Sequence, residues 1–365
     1  MVQNDSSQTK YAKLQKYIKD EIIMGRIKPG EQIPSENTLA EKLSLSRHTV
    51  RRAISVLVNE GYLYTEHGKG TFCKDRSLSR INSRNIGVMT TYISEYIFPR
   101  VIQGIDSVLS EKGYSIILKN TDNDVEKEAV YLQEILKKDL EGLIIEPAKS
   151  SLFSSNVKYY QALEEHKIPY IFIHGVYQQL EDRPQIVLND SNGMYLAVKY
   201  LIGLGHKNIL GIFKADDIQG IERHKGYARA LAENSLPYNP DNVIWFHTED
   251  RKTKPFSTLE GMVKAGRKID AVACYNDQIA FGVYEKLAEL NLSVPGDISL
   301  TGFDDSYYAT SCPVKLTSVS HPKEQLGEMA ARTLLEMLEN PEYAKSPIKK
   351  VIEPQLILRD SCSNR

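Results

Sequence analysis

Between Ser46 and Arg52 the chain reads SRHTVRR, a run of side chains that can reach out to a partner. Arg47 and Arg51 are four residues apart, about one helical turn, so both guanidinium groups address the same short stretch of whatever lies alongside. A guanidinium fork matches the O6 and N7 acceptors of guanine, the commonest base-specific contact in a major groove. Arg52 points about 100° away from Arg51, which leaves a phosphate contact and a surface salt bridge as equal readings. A second basic group follows at His67, Gly68 and Lys69. Gly68 and Gly70 give the backbone freedom to bring His67 and Lys69 against a minor groove or its phosphates. A plain hairpin turn would use the same glycines, but two basic side chains at its tip favour nucleic acid.

The elements that must hold these groups can be read from the spacing around them. Leu39, Leu43 and Leu45 supply the apolar side of a short helix and the turn after it. Val50, Ile54, Leu57 and Val58 recur at helical spacing, with Ser46 placed to cap that second helix. Two helices joined by a turn of about three residues, the second opening with basic and small polar residues, predict a helix-turn-helix. Gly61 ends the second helix, and Tyr62 to Thr65 with Thr71 to Cys73 flank EHGKG as a hairpin, so a wing completes the unit. Upstream, Tyr11, Leu14, Ile18, Ile22 and Ile23 mark an amphipathic first helix ending near Gly25. Lys10 begins it and is the lysine expected on a phosphate; Lys13, Lys16 and Lys19 read as a solvated face. Ser35 starts the supporting helix, and Glu36 in its first turn suits the helix dipole, a base contact being second choice. Residues 1–9 are expected to fray, and 74–84, polar and without periodicity, read as a linker.

Charge divides the chain at the same place. Residues 1–84 hold 15 Lys/Arg against 9 Asp/Glu, whereas the other 281 hold 31 against 38. A basic head on an acidic body fits a nucleic-acid-binding domain joined to something that avoids nucleic acid. Cys73, Cys274, Cys312 and Cys362 are scattered without zinc spacing and read as reduced thiols in a cytoplasmic protein. No stretch approaches the roughly 20 apolar residues of a membrane span.

From Asn85 onward short β-branched runs alternate with helical segments. IGVMTT (86–91), YSIIL (114–118), GLIIEP (142–147), PYIFIHG (169–175), NILGIF (208–213), VIWF (243–246), DAVACYN (270–276) and ISLTGFD (298–304) read as strands. Continuous apolar strands between helices predict parallel sheets covered on both faces. So many units exceed one ordinary open sheet, and the expectation is α/β: two doubly wound lobes with a cleft between them. Ligands in such sheets lie beyond the carboxyl ends of the strands. Polar residues gather there: Glu146, His174, Asp190, Asn276, Asp277, Asp304 and Asp305, with Tyr92 at the end of the first strand. Asp277 and Asp305 read as helix caps, and Trp245 could stack on a ligand or fill a core. The chain has no phosphate-binding loop, nucleophile elbow or zinc-protease motif. His321 in SVSHP is a lone histidine that reads as a hinge element rather than a base. No enzyme, metal or cofactor is expected. A sugar-binding receptor would share the body but leave residues 10–73 unexplained.

Two families are resembled. PSENTLAEKLSLSRHTVRRAISVLVNEGYLYTEHGKGTF closely resembles the GntR-type winged helix. LIGLGHKNI, CYNDQIAFGVYEKL, VPGDISLTGFDD and LTSVSHP resemble, in order, the effector domain of the LacI/GalR repressors. The pairing of the two is similar to the repressors of arabinose utilisation, and TTYISEYIFP and IFKADDIQG carry that nearer likeness. The resemblance implies a repressor made of residues 1–73 as winged helix, 74–84 as linker and 85–365 as effector-binding and dimerising body. It implies DNA contact by Ser46, Arg47, Thr49 and Arg51, with His48 near the groove. It also implies ligand contact by Arg223, Asn276, Asp304 and His174, a palindromic operator, a homodimer, and a sugar effector, L-arabinose, that releases the DNA; the alternative is a regulator of the same architecture that answers to a different sugar or to a corepressor.

Overall fold

The computed structural model describes residues 10–75, 83–94 and 96–365. The segment expected to fray, 1–9, and most of the expected linker, 76–82, lie outside the described residues. Contacts divide the chain into two compact units. One runs up to Ile86 and adds Ala129–Gly142 and Ser155–Pro169; the other holds Gly87–Glu128, Leu143–Ser154 and Tyr170–Arg365.

In the first unit, α1 (Lys10–Ile23), α2 (Glu36–Leu43) and α3 (Arg47–Asn59) precede a hairpin of β1 (Leu63–Glu66) and β2 (Gly70–Cys73). Leu14, Ile18 and Ile22 of α1 share a core with Leu39, Val50, Ile54, Leu57 and Leu63. Both α2 and α3 begin at a serine whose hydroxyl replaces a missing partner: Ser35 accepts from the Thr38 amide and Ser46 from the Thr49 amide. Ser44, at φ 52°, ends α2 and turns the chain into α3.

Two six-stranded sheets carry the rest. The first runs β13–β7–β6–β5–β3–β4, from β3 (Asn85–Thr90), β4 (Ser115–Asn120), β5 (Gly142–Ile145), β6 (Tyr170–Ile173), β7 (Gln185–Leu188) and β13 (Lys349–Ile352). The second runs β14–β12–β11–β10–β8–β9, from β8 (Ile209–Lys214), β9 (Val243–Phe246), β10 (Ala271–Cys274), β11 (Ser299–Asp304), β12 (Thr317–Ser320) and β14 (Leu356–Ile357). In the second sheet β9, β8, β10, β11 and β12 are parallel and β14 is antiparallel to β12. Each expected strand is present, and β7, β12, β13 and β14 are additional. The chain passes between the sheets after β7, at Asn189 and Asp190, after β12, at His321 and Pro322, and again between β13 and β14.

The helix Phe98–Glu111 packs on Lys323–Glu339 closely enough that a Cβ on Gly104 would stand 2.2 Å from the Glu324 carbonyl. A Cβ on Gly327 would stand 2.2 Å from the Val101 carbonyl. Both positions need glycine because backbone meets backbone there. Among the described residues no helix is long and apolar enough to cross a membrane.

Candidate functional site

On the winged helix, Ser46, Arg47, His48, Arg51 and Arg52 lie at the exposed leading end of α3, with Thr49 half-buried behind the cap. Arg51 donates to the Glu36 carboxylate through Nε at 3.1 Å and through Nη2 at 3.0 Å. Glu36, expected to serve the dipole of α2, therefore also holds Arg51. Arg52, exposed on α3, lies over the Tyr11 ring, 4.7 Å from its centroid. Lys10 opens α1 and is exposed. At the wing tip His67, Gly68 and Lys69 are exposed, with Gly68 at φ 75° and Gly70 at φ 129°. Gln32 donates to the Lys69 carbonyl at 2.8 Å and fixes the tip from below.

Within the second unit a cleft of about 970 Å³, its open mouth included, lies at the carboxyl ends of both sets of strands. Tyr92, Glu146, His174, Arg223, Asn276 and Asp304 all line it. All but the half-buried Tyr92 are buried. Arg223 is the hub. Its Nε donates to Asp190 at 2.8 Å, Nη1 to the Tyr275 carbonyl at 2.6 Å, and Nη2 to Asp304 at 3.2 Å, while Phe303 lies under the guanidinium at 3.6 Å. Burial works against its charge, but Asp304 and Asp190 more than compensate and hold its pKa above the ordinary value. Asp190, competing with Asp304 for one cation in a buried site, is pushed up to about 6, burial being the main cause. Asp304 uses its other oxygen to accept from Tyr96 at 2.7 Å. His174 and Asp304 both have positive φ, 63° and 88°, conformations that collect at functional sites because they aim side chains off a strand end.

Glu146 accepts from the Thr91 amide at 2.9 Å and hydroxyl at 2.6 Å through one oxygen, and meets His174 Nδ1 at 2.9 Å through the other. Burial would raise its pKa, but His174 and the Thr91 donors hold the carboxyl below its ordinary value. At the cleft mouth Arg251 donates to the Tyr92 hydroxyl at 3.1 Å, Asn123 donates to Thr248 at 2.7 Å, and Lys149 pairs with Glu249. Each of these contacts joins a loop of the first sheet to a loop of the second.

Residues 10–73 match the bacterial regulatory proteins of the gntR family, and residues 198–362 match a periplasmic binding protein-like domain. The arabinose metabolism transcriptional repressor of Geobacillus stearothermophilus is 40% identical over 356 residues, covering 96% of this chain and 97% of that one. The protein of the same description from Halalkalibacterium halodurans is 38% identical over 364 residues, covering 97% of this chain and 96% of that one. The chain belongs to the arabinose metabolism transcriptional repressor family. Among solved structures, a LacI family transcriptional regulator from Enterococcus faecalis with bound ribose is similar at 28% identity and a TM-score of 0.66, covering 77% of this chain and 99% of that one.

Several features of this repressor's cleft differ from the sequence reading. Asp277 and Asp305 are not the caps: Asn276 caps the following helix by accepting from the Ile279 amide at 3.0 Å. Asp277 instead accepts from the Ser306 amide and the Ser318 hydroxyl, both at 2.6 Å, and burial pushes its pKa up to about 7. Asp305 pairs with Arg359 at 2.6 Å. Trp245 packs against Phe213 and His224, and its neighbour Phe246 lines the cleft in its place. Basic residues that the sequence did not mark, Lys214 and Arg251, also line the cleft; Lys214 faces Asp217 at 3.2 Å and Asp216 at 3.6 Å. His321, read as a hinge element, both stands at a crossing between the sheets and lines the cleft. Tyr96 and Tyr275 were missed because they lie in loops and at a strand end where no periodicity marks them.

Proposed function

We propose that this repressor holds the operators of arabinose-utilisation genes through residues 1–73 and lets go when L-arabinose enters the cleft of residues 85–365, with 74–84 as the linker. The observation that carries this reading is the match to arabinose metabolism transcriptional repressors across nearly the whole chain. The convergence of Tyr92, Glu146, His174, Arg223, Asn276 and Asp304 on one cleft supports it. Carboxylate, guanidinium and amide groups there satisfy paired hydroxyls, and Phe246, Phe98 and Tyr92 offer an apolar side. On the head, Arg47 and Arg51 read bases, Ser46, Thr49, Lys10 and Arg52 serve the backbone of the DNA, and His48 and Glu36 border the groove. His67, Gly68 and Lys69 bring the wing to the minor groove. The protein works in the cytoplasm as a homodimer on a palindromic site, the dimer joined through the body.

L-arabinose can switch the protein only by preferring the state that does not bind DNA. Moving that balance from about 1:99 to 99:1 needs a preference near 10⁴-fold. The test is fluorescence anisotropy at fixed salt, with operator duplexes selected by the protein from random DNA. Addition of L-arabinose should release them, and D-ribose or D-xylose should not. Operator affinity that L-arabinose leaves unchanged or strengthens overturns the mechanism. Release by another sugar keeps the regulator and discards the inducer.

A further inference from the structure

One corner of the cleft holds two imidazole nitrogens with nothing to bond. Both Glu146 oxygens are occupied, one by the amide and hydroxyl of Thr91 and the other by His174 Nδ1. An ionised carboxylate only accepts, so the proton of this bond belongs to His174 Nδ1. In the neutral ring that leaves Nε2 with a lone pair and no hydrogen. His174 Nε2 is buried without a hydrogen-bond partner, and so is His321 Nδ1. Their rings meet at 64° with centroids 5.1 Å apart, too far and too tilted to satisfy each other, and both line the cleft. His174 and His321 are only 5% and 6% exposed, and the surface each retains borders the cleft. Buried polar atoms left unpaired cost free energy, and each such atom in a native fold calls for a reason. A ligand that completes both bonds is one.

We propose that His174 Nε2 and His321 Nδ1 together take neighbouring hydroxyls of the effector, and that Glu146 is a positioning residue which sets the His174 tautomer rather than a ligand contact. This rests on the cleft being the effector site. It also narrows the ligand class. An acceptor at His174 Nε2 asks for a group that carries a hydrogen. A hydroxyl provides it, whereas a phosphate dianion or a carboxylate would set lone pairs against a lone pair beside ionised Glu146. The corner therefore takes a hydroxyl in preference to an anionic group.

The test is a cycle between side chains and ligand hydroxyls, read by calorimetry on the full chain with L-arabinose and its monodeoxy analogues. In the wild type, the analogue lacking the hydroxyl that faces the pair should bind roughly tenfold or more weaker. His321→Ala should lose a similar factor with L-arabinose yet lose nothing further with that analogue, while the other analogues keep their separate losses. A uniform loss across all analogues means a packing role and overturns the proposal. His321→Gln, which keeps a donor and an acceptor, carries the same cycle if the alanine variant does not fold. Nitrogen-15 spectra of the ligand-free protein should show His174 protonated at Nδ1 only. A ring protonated at Nε2, or at both nitrogens, overturns the tautomer. If the wild type does not bind L-arabinose, the proposed function falls, and the nitrogen-15 spectrum alone judges the histidine pair.

Discussion

Arg223 Nε donates to Asp190 Oδ1 at 2.8 Å, and both side chains are buried. The same guanidinium also serves Asp304, so one cation balances two carboxylates away from water. Arg223→Ala would leave both without a counter-charge, a change that costs about 3–5 kcal/mol in buried pairs. Urea unfolding should show that loss in the full chain, together with loss of sugar binding. Adding Asp190→Asn to Arg223→Ala should recover part of the stability and none of the binding.

Asp277 gives the protein a pH dependence whose sign is fixed. Its folded pKa, about 7, lies above the ordinary 3.8 because it is buried. The folded state therefore holds this proton longer than the unfolded state does. The stabilisation is complete below about pH 4 and disappears as pH rises through 7. Asp277→Asn removes the titration. The stability difference between wild type and variant, measured by urea unfolding at pH 5 and pH 8, should shift against the wild type by about 2–3 kcal/mol on going to the higher pH. No shift would mean that Asp277 is not held neutral by its surroundings.

Arg47 and Arg52 should separate reading from holding. Arg47 is exposed on α3, and Arg47→Ala is expected to cost about 1–3 kcal/mol of specific operator binding at fixed salt. Arg52 stacks on Tyr11, so Arg52→Ala should also lower the stability of the winged helix, by about 0.5–1 kcal/mol. Thermal unfolding of the DNA-free protein measures the second effect, and anisotropy at two salt concentrations measures the first.

Gly70 is favoured in the wing by its backbone conformation. At φ 129° a side chain is strained, and its Cβ would stand 2.3 Å from Gln32 Nε2. Gly70→Ala should break the Gln32 bond to Lys69 and weaken operator binding. Gly68→Ala, at φ 75° with open space around it, should be milder. The comparison is one titration series.

The rim contacts should govern speed more than affinity. Asn123→Ala removes the bond to Thr248 between the two loop sets and the acceptor of the Lys149 amide, neutral hydrogen bonds worth about 1 kcal/mol each. Stopped-flow fluorescence should show sugar entering and leaving faster, with the dissociation constant changed by less than about tenfold.

The winged helix was legible because its signals are local: leucines at helical spacing, a serine before each helix, glycines at the tip. Apolar strands such as those at 142–145 and 170–173 were equally plain. The segments TSVS (317–320) and KKVI (349–352) were not, and the reasons differ. The Thr317 hydroxyl bonds the Arg359 backbone and the Ser318 hydroxyl donates to Asp277, partners 42 and 41 residues away, so their polarity hides an interior strand. Lys349 and Val351 stand exposed on an edge. The cleft was half visible for a related reason. Strand-end carboxylates follow apolar runs and can be found, whereas Tyr96 and Arg251 come from loops, and only the folded chain brings them in.

Asp190 and His321 belong to the segments that carry the chain from one sheet to the other, so a ligand that touches them is held at the fulcrum and not on the levers. Any rotation of one sheet on the other would pivot there, where displacement is smallest. The helix that begins at Lys323, two residues beyond His321, extends for 17 residues, about 25 Å of rigid rod. A turn of roughly 5° at the fulcrum moves the far end by about 2 Å. Because Gly104 and Gly327 press this rod backbone to backbone against its neighbour, there is no soft layer of side chains to absorb the stroke, and the pair must travel together.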